Sequence, residues 1–273
     1  MLNLIQHLWA PQKIQEEKVQ PVIDTHSHIY LPKFDEDRDE VNRRAVEAGV
    51  EAILMPAIDF GSLKQMEMMN HPEISFYKMA GLHPCDVEEL EDGFEKQLLD
   101  LCSQDDIYGV GETGLDYYWS TDHVTEQKLS LHAHCRVAKK VKKPIIIHNR
   151  ESTDDMLKVL EQEQDGSLTG IWHCFNGTLE EGKRAIDLGF HLGIGGVATF
   201  KNAGVDKTVA QLPLDKMVLE TDAPYLSPTP KRGKRNEPAF MKYTAEKLAE
   251  LFELSLEEVD AKTSATAKRL FRI

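Results

Sequence analysis

The sequence predicts an α/β fold, a single (β/α)8 TIM-like barrel. Three observations carry that expectation. Short apolar, β-branched runs alternate eight times with longer segments of helical periodicity. The runs are apolar on both faces, as strands of a parallel sheet covered by helices must be. No Pro/Gly/Ser-rich linker or break in composition divides the chain, so its 273 residues, 41% of them hydrophobic, read as one domain. The competing architecture, an open doubly wound sheet, calls for a Gly-rich phosphate loop after the first strand, where this sequence has DTHSH.

Residues 1–20 read as an N-terminal extension before a barrel spanning 21–273. Leu2, Leu4, Ile5, Leu8 and Trp9 are spaced for a short amphipathic turn, although a loosely ordered segment fits as well. The extension lacks the basic and apolar regions of a signal peptide. The strand runs are PVIDTH (21–26), EAILMPAI (51–58), SFYKMAGLH (75–83), IYGVGET (107–113), PIIIHN (144–149), LTGIWHCF (168–175), GFHLGIGG (189–196) and KMVLETD (216–222). Helical patterns lie at about 36–48, 61–70, 87–103, 122–142, 151–164, 178–188, 203–211 and 237–252. STDD at 152–155 and TLEE at 178–181 carry helix-start signals, the second with Thr178 three residues before Glu181.

In such a barrel the reactive groups sit at the C-terminal ends of the strands. Those ends carry His26 and His28 (first run), His83 (third), Glu112 (fourth), His148 (fifth), His173 (sixth) and Asp222 (eighth). Side chains at i and i+2 share one face of a strand, so His26 and His28 suit a single cation. An H-x-H pair alone is a weak signal. Four imidazoles and two carboxylates at equivalent strand ends are a strong one. Six donors exceed the four of a structural zinc and suit two divalent ions about 3.5–4 Å apart sharing a carboxylate. On that count Glu112 and Asp222 offset only half of the ions' charge, so the site is expected to be cationic and to take an anion such as a phosphodiester. Imidazole donors favour Zn, Mn, Ni or Fe over Mg.

The formal net charge of -14 argues against a broad basic surface for duplex DNA but not against a small anion held by cations. No segment is long and apolar enough to span a membrane. The cysteines, Cys85, Cys102, Cys135 and Cys174, include no C-x-x-C pair, and a reduced, cytoplasmic protein is expected. Cys174 is expected to be a small buried residue. No obligate protein partner is evident.

The motifs DTHSH, GLHP (81–84), GETGLDYY (111–118), PIIIHNR (144–150), HCFNG (173–177) and LETDAPYLSP (219–228), followed by RGKRNEP (232–238), occur together and in this order. In this the chain resembles the TatD family of metal-dependent deoxyribonucleases, within the amidohydrolase superfamily, from about Val22 to the C-terminus. The resemblance implies a binuclear metal centre and hydrolysis of phosphodiester bonds in DNA, typically from 3′ to 5′ and often with magnesium. It implies His26, His28 and Asp222 on a first ion, His148 and His173 on a second, Glu112 bridging both, and Asp222 also accepting the proton of the attacking water. The chain departs from the family pattern in its extension and at Thr266, where the family has asparagine. The second difference is expected to affect a local cap or turn.

Secondary candidates surround this set. His83 is read as a contact to substrate phosphate, or else a core or turn histidine. Arg150 is read as a phosphate ligand, or else an ion-pair partner of Glu151 or Asp154. KRGKR (231–235) is the densest basic stretch and suits a nucleic-acid backbone, or else a solvated turn. Asp24 is expected to orient one of the first two histidines. Tyr117 and Tyr118 suit stacking on a base, or packing of their loop. Two rival functions remain beside DNA hydrolysis: an acyl, amide or ester hydrolase on a small molecule, and a metal-binding protein without catalysis.

Overall fold

The computed structural model describes residues 20–88, 90 and 92–273; the amphipathic turn expected in the N-terminal extension lies outside them. Eight strands form one parallel sheet in sequential order: β1 (Val22–Asp24), β2 (Val50–Pro56), β3 (Ser75–Ala80), β4 (Ile107–Asp116), β5 (Ile145–Arg150), β6 (Gly170–Trp172), β7 (Phe190–Ile194) and β8 (Met217–Leu219). Helices α1 (Arg38–Glu47), α2 (Ser62–Met66), α3 (Phe94–Cys102), α4 (Val124–Val141), α5 (Thr153–Glu163), α6 (Leu179–Asp187), α7 (Val205–Val209) and α8 (Met241–Phe252) each follow one strand. Every expected strand and helix has its counterpart.

The strands are apolar on both faces because they bury both. Ile23, Leu54, Met79, Ile146, Ile171 and Val218 fill the barrel interior. Residues of the opposite parity, such as Ile53, Ile145 and Leu192, pack under the helices. Each such side chain contributes about 1.5–3 kcal/mol when fully buried.

The barrel closes beyond β1 and β8, whose ladder is carried by the segments that follow them. Thr25 N–H donates to Leu219 O, Asp222 N–H to His26 O and His28 N–H to Ala223 O, at 3.0, 2.8 and 2.7 Å, and Ser27 bridges Ala223. The seam of the barrel is therefore the segment that carries His26, His28 and Asp222.

Several local expectations are corrected. A further helix, α9 (Leu256–Phe271), starts at a Ser255/Glu258 capping box and presses Ala267 and Phe271 against the interior cluster. Thr266 lies inside α9, buried, its hydroxyl 3.3 Å from the Asp215 carbonyl, so it forms neither cap nor turn. The helix expected from residue 87 begins only at Phe94, because Pro84–Asp86 makes a 3-10 turn and Gly93 adopts φ 94°. Thr178 and Glu181 form the expected capping box. Ser152 occupies a cap position, but its hydroxyl donates to the Leu115 and Asn149 oxygens instead.

Candidate metal centre

Strand-end geometry brings the six proposed donors together. His26 Nε2 and His28 Nε2 lie 3.2 Å apart. Glu112 Oε2 is 3.3 Å from the first and 3.5 Å from the second, and Asp222 Oδ1 is 3.8 and 3.6 Å from them. Donors arranged tetrahedrally at about 2.0–2.1 Å from a divalent ion stand about 3.3–3.4 Å apart. The five measured edges therefore fit one ion. The tautomer of His28 agrees. Tyr30 Oη–H donates to the Pro56 carbonyl at 2.8 Å, so it accepts from His28 Nδ1–H at 3.0 Å, leaving a lone pair on Nε2.

The other oxygen of Glu112 faces a second set. Oε1 is 3.0 Å from His148 Nδ1 and 3.4 Å from His173 Nε2. Carboxylates hold the far sides of these rings: Asp116 Oδ2 is 2.9 Å from His148 Nε2, and Glu220 Oε1 is 3.1 Å from His173 Nδ1. Each imidazole thus directs its remaining nitrogen at Glu112. Gly193 makes room for Glu220, since a Cβ there would stand 2.1 Å from Glu220 Oε2.

The two sets differ electrostatically. Burial, with the neighbouring His173, holds His26 well below the usual imidazole range, and burial lowers His28 to about 4. Burial opposes charge on His173 too, but Glu220 and Glu112 outweigh it and raise that group to about 10. His148 is raised as well, its hydrogen bonds to Asp116 and Glu112 prevailing over burial. Burial pushes the Glu112 carboxyl up, yet the facing imidazoles of His26, His173 and His148 hold it well below the carboxylate range. Burial pushes Asp222 up to about 7.

Asp116 and Glu220 were not singled out from the sequence, and they change the charge count. With Glu112 and Asp222 they bring four carboxylates, enough to offset two divalent ions. The net positive charge expected from Glu112 and Asp222 alone is therefore corrected: with these four carboxylates, two divalent ions would leave the centre without it. The signal for Glu220 was present: an acid inside an apolar run, two residues before Asp222. Asp24 is also reassigned. Its carboxyl oxygens bond the backbone N–H of His26 and the backbone and hydroxyl of Thr221, at 3.2, 3.0 and 2.6 Å, rather than an imidazole. Burial raises it to about 8.

The centre forms the floor of a cavity of about 630 Å³ that includes His83, Arg150, Cys174 and Tyr225 in its lining. His83 Nε2 is 3.8 Å from Glu112 Oε1, while its Nδ1 accepts the Cys85 N–H at 3.1 Å. The neutral ring therefore carries its proton on Nε2, aimed into the cavity. His134 on α4 accepts the Leu82 N–H at 3.1 Å and so fixes the loop that presents His83. Among the described residues Arg150 pairs with neither Glu151 nor Asp154; its guanidinium lies 3.5 Å from the Tyr118 ring centroid. Tyr117 turns away to bond Asp155 at 3.0 Å. Cys174 is partly exposed in the cavity wall, not buried as expected.

The basic stretch divides. Arg235 is tied to Asp37 at 2.6 Å and lies over Phe34, a structural role. Lys231, Arg232 and Lys234 form no ion pair among the described residues, and Arg232 stacks on Phe200. Lys33 sits 4.5 Å over the ring of Tyr225, which lines the cavity.

Comparison with known proteins places the chain among metal-dependent hydrolases. The family model described as TatD related DNase matches residues 23–272. An uncharacterized metal-dependent hydrolase of Bacillus subtilis, YabD, is 39% identical over 254 residues, covering 92% of this chain and 99% of that protein. The 3′-5′ ssDNA/RNA exonuclease TatD of Shigella flexneri is 30% identical over 258 residues, covering 92% and 99%. The crystal structure of YJJV, a TatD homolog from Escherichia coli, superimposes with a TM-score of 0.84 at 28% identity, covering 92% and 98%. Within the described residues no helix is long and apolar enough to cross a membrane. The chain belongs to the TatD-related family of metal-dependent hydrolases.

Proposed function

We propose that the protein is a phosphodiesterase that removes nucleotides from the 3′ end of single-stranded DNA. The observation that carries this reading is Glu112, whose two oxygens face two separate donor sets at the floor of one cavity. Two divalent ions held there would supply a Lewis acid for the phosphoryl group and acidify the attacking water. Glu112 would fix both donor sets in register. Asp222, beside the first set and in the cavity wall, would accept the water proton. His83, held neutral because burial lowers it to about 3, would donate Nε2–H to a phosphoryl oxygen. Arg150 would pair its forked donors with the same phosphate.

Phosphate is preferred over an acyl group because these N–H donors, with Lys33 and the unpaired cations of 231–234, suit an anion better than a neutral carbonyl. The name of the Shigella relative supports single strands as substrate, and extends the question to RNA. The test compares end-labelled DNA and RNA oligonucleotides, a closed single-stranded circle, and ester and amide substrates, each with several divalent ions. Digestion from the 3′ label with an intact circle is expected. Rapid opening of the circle would mean an endonuclease, and turnover of esters or amides alone would mean an acyl hydrolase.

A further inference from the structure

The mouth of the barrel carries aromatic surface that the chemistry above does not use. Tyr118 and Trp119, in the loop between β4 and α4, are 50% and 69% exposed, with ring centroids 5.0 Å apart. Trp119 lines the catalytic cavity together with Arg150, Asp116 and His148. The Arg150 guanidinium lies over the Tyr118 ring and 5.3 Å from the Trp119 ring centroid. An indole left in water beside a reactive centre forgoes the burial that aromatic side chains normally gain.

The loop is also held in register with the metal donors. Asp116 Oδ1 accepts the N–H groups of Tyr118 and Trp119, at 3.0 and 3.2 Å, while Oδ2 of the same carboxyl faces His148 Nε2 at 2.9 Å. One side chain therefore fixes a donor of the second set and the exposed rings. A ligand that uses both parts needs a π-face and a negative charge a short distance apart, and a nucleotide has that chemistry.

Resting on the phosphodiesterase reading, we infer that Trp119, with Tyr118 and Arg150, is a nucleobase subsite beside the centre. The base next to the scissile phosphate stacks on the indole, and Arg150, braced by Tyr118, reaches the phosphate. Stacking is available to every base, so the subsite is tolerant of sequence. It discriminates instead against paired ends, whose bases must first leave the helix stack.

The test uses the full-length, metal-loaded protein, with Trp119→Ala and Trp119→Phe. Substrates are a single-stranded oligonucleotide and matched strands abasic at the last or the penultimate position. For the intact strand, Trp119→Ala is expected to lower kcat/KM about 10- to 100-fold, with metal content unchanged and Trp119→Phe recovering most of the loss. One abasic position should cost the wild type a similar factor and cost Trp119→Ala almost nothing. In a Trp9→Phe background, where Trp119 and the buried Trp172 are the remaining indoles, quenching of tryptophan fluorescence by the intact strand should disappear on Trp119→Ala. Equal abasic penalties in wild type and Trp119→Ala would overturn the subsite and leave the phosphodiesterase reading standing. If the wild type cleaves no oligonucleotide, that reading falls, and the subsite with it.

Discussion

The two donor sets on either side of Glu112 look alike in composition and differ in what stands behind them. His28 leans on a tyrosine hydroxyl, and His26 Nδ1 meets no partner among the described residues. His148 and His173 lean on carboxylates. A carboxylate behind an imidazole raises its affinity for a proton and for a metal alike. Without metal, the first pair presents lone pairs at neutral pH and the second pair holds a proton. On the proposed assignment, one centre would combine a site open to a cation at once with a site where a cation must displace a proton.

The largest effect sharpens the division of labour. Asp222→Asn keeps the side-chain size but cannot take a proton, and single-turnover hydrolysis should fall by about 10² to 10⁴, with the second ion mostly retained. A rate within about threefold of wild type would remove Asp222 as the base.

Next comes pH, where the sets should part. His173 keeps its proton up to about 10 in the metal-free protein, so the barrier to displacing it shrinks as pH rises. Affinity at the second site should increase about tenfold per pH unit between pH 7 and 9 as His173 is relieved of its proton. At the first site His28 titrates near 4 and Asp222 near 7, so affinity there should fall only below about pH 7. Calorimetric metal titrations at several pH values give both slopes; equal slopes would break the comparison.

Removing the partners themselves has smaller effects. Glu220→Gln should weaken the second ion about 10- to 100-fold and flatten its pH slope, leaving the first ion in place. Tyr30→Phe removes one neutral hydrogen bond, worth about 1 kcal/mol, and should weaken the first ion only about fivefold. A larger loss from Tyr30→Phe than from Glu220→Gln would invert the account.

The sequence made one half of this centre visible and hid the other. His26, His28, Glu112, His148, His173 and Asp222 announce themselves because a polar residue that ends an apolar run is costly unless it has work at the barrel mouth. Asp116 and Glu220 act through register: Asp116 meets His148 on the adjacent strand, and Glu220 reaches past Gly193 of β7 to His173, 32 and 47 residues away. No local pattern encodes such a meeting. Trp119 was passed over for the same reason, since only the folded loop shows it exposed beside Arg150. The eight-fold alternation was legible because burial on both strand faces is written directly in hydrophobicity. Helix ends were read less well where hydroxyls such as Ser152 found other partners.

The claim that Glu112 joins two sites is tested most directly by electron paramagnetic resonance of the manganese-loaded protein, with metal content measured on the same samples. Wild type should bind two equivalents and give the spectrum of a spin-coupled pair, as ions about 3.5–4 Å apart through one carboxylate require. Glu112→Gln should bind less at both sites and lose the coupling. A wild-type spectrum of isolated manganese ions, or Glu112→Gln with full and still-coupled occupancy, would contradict it.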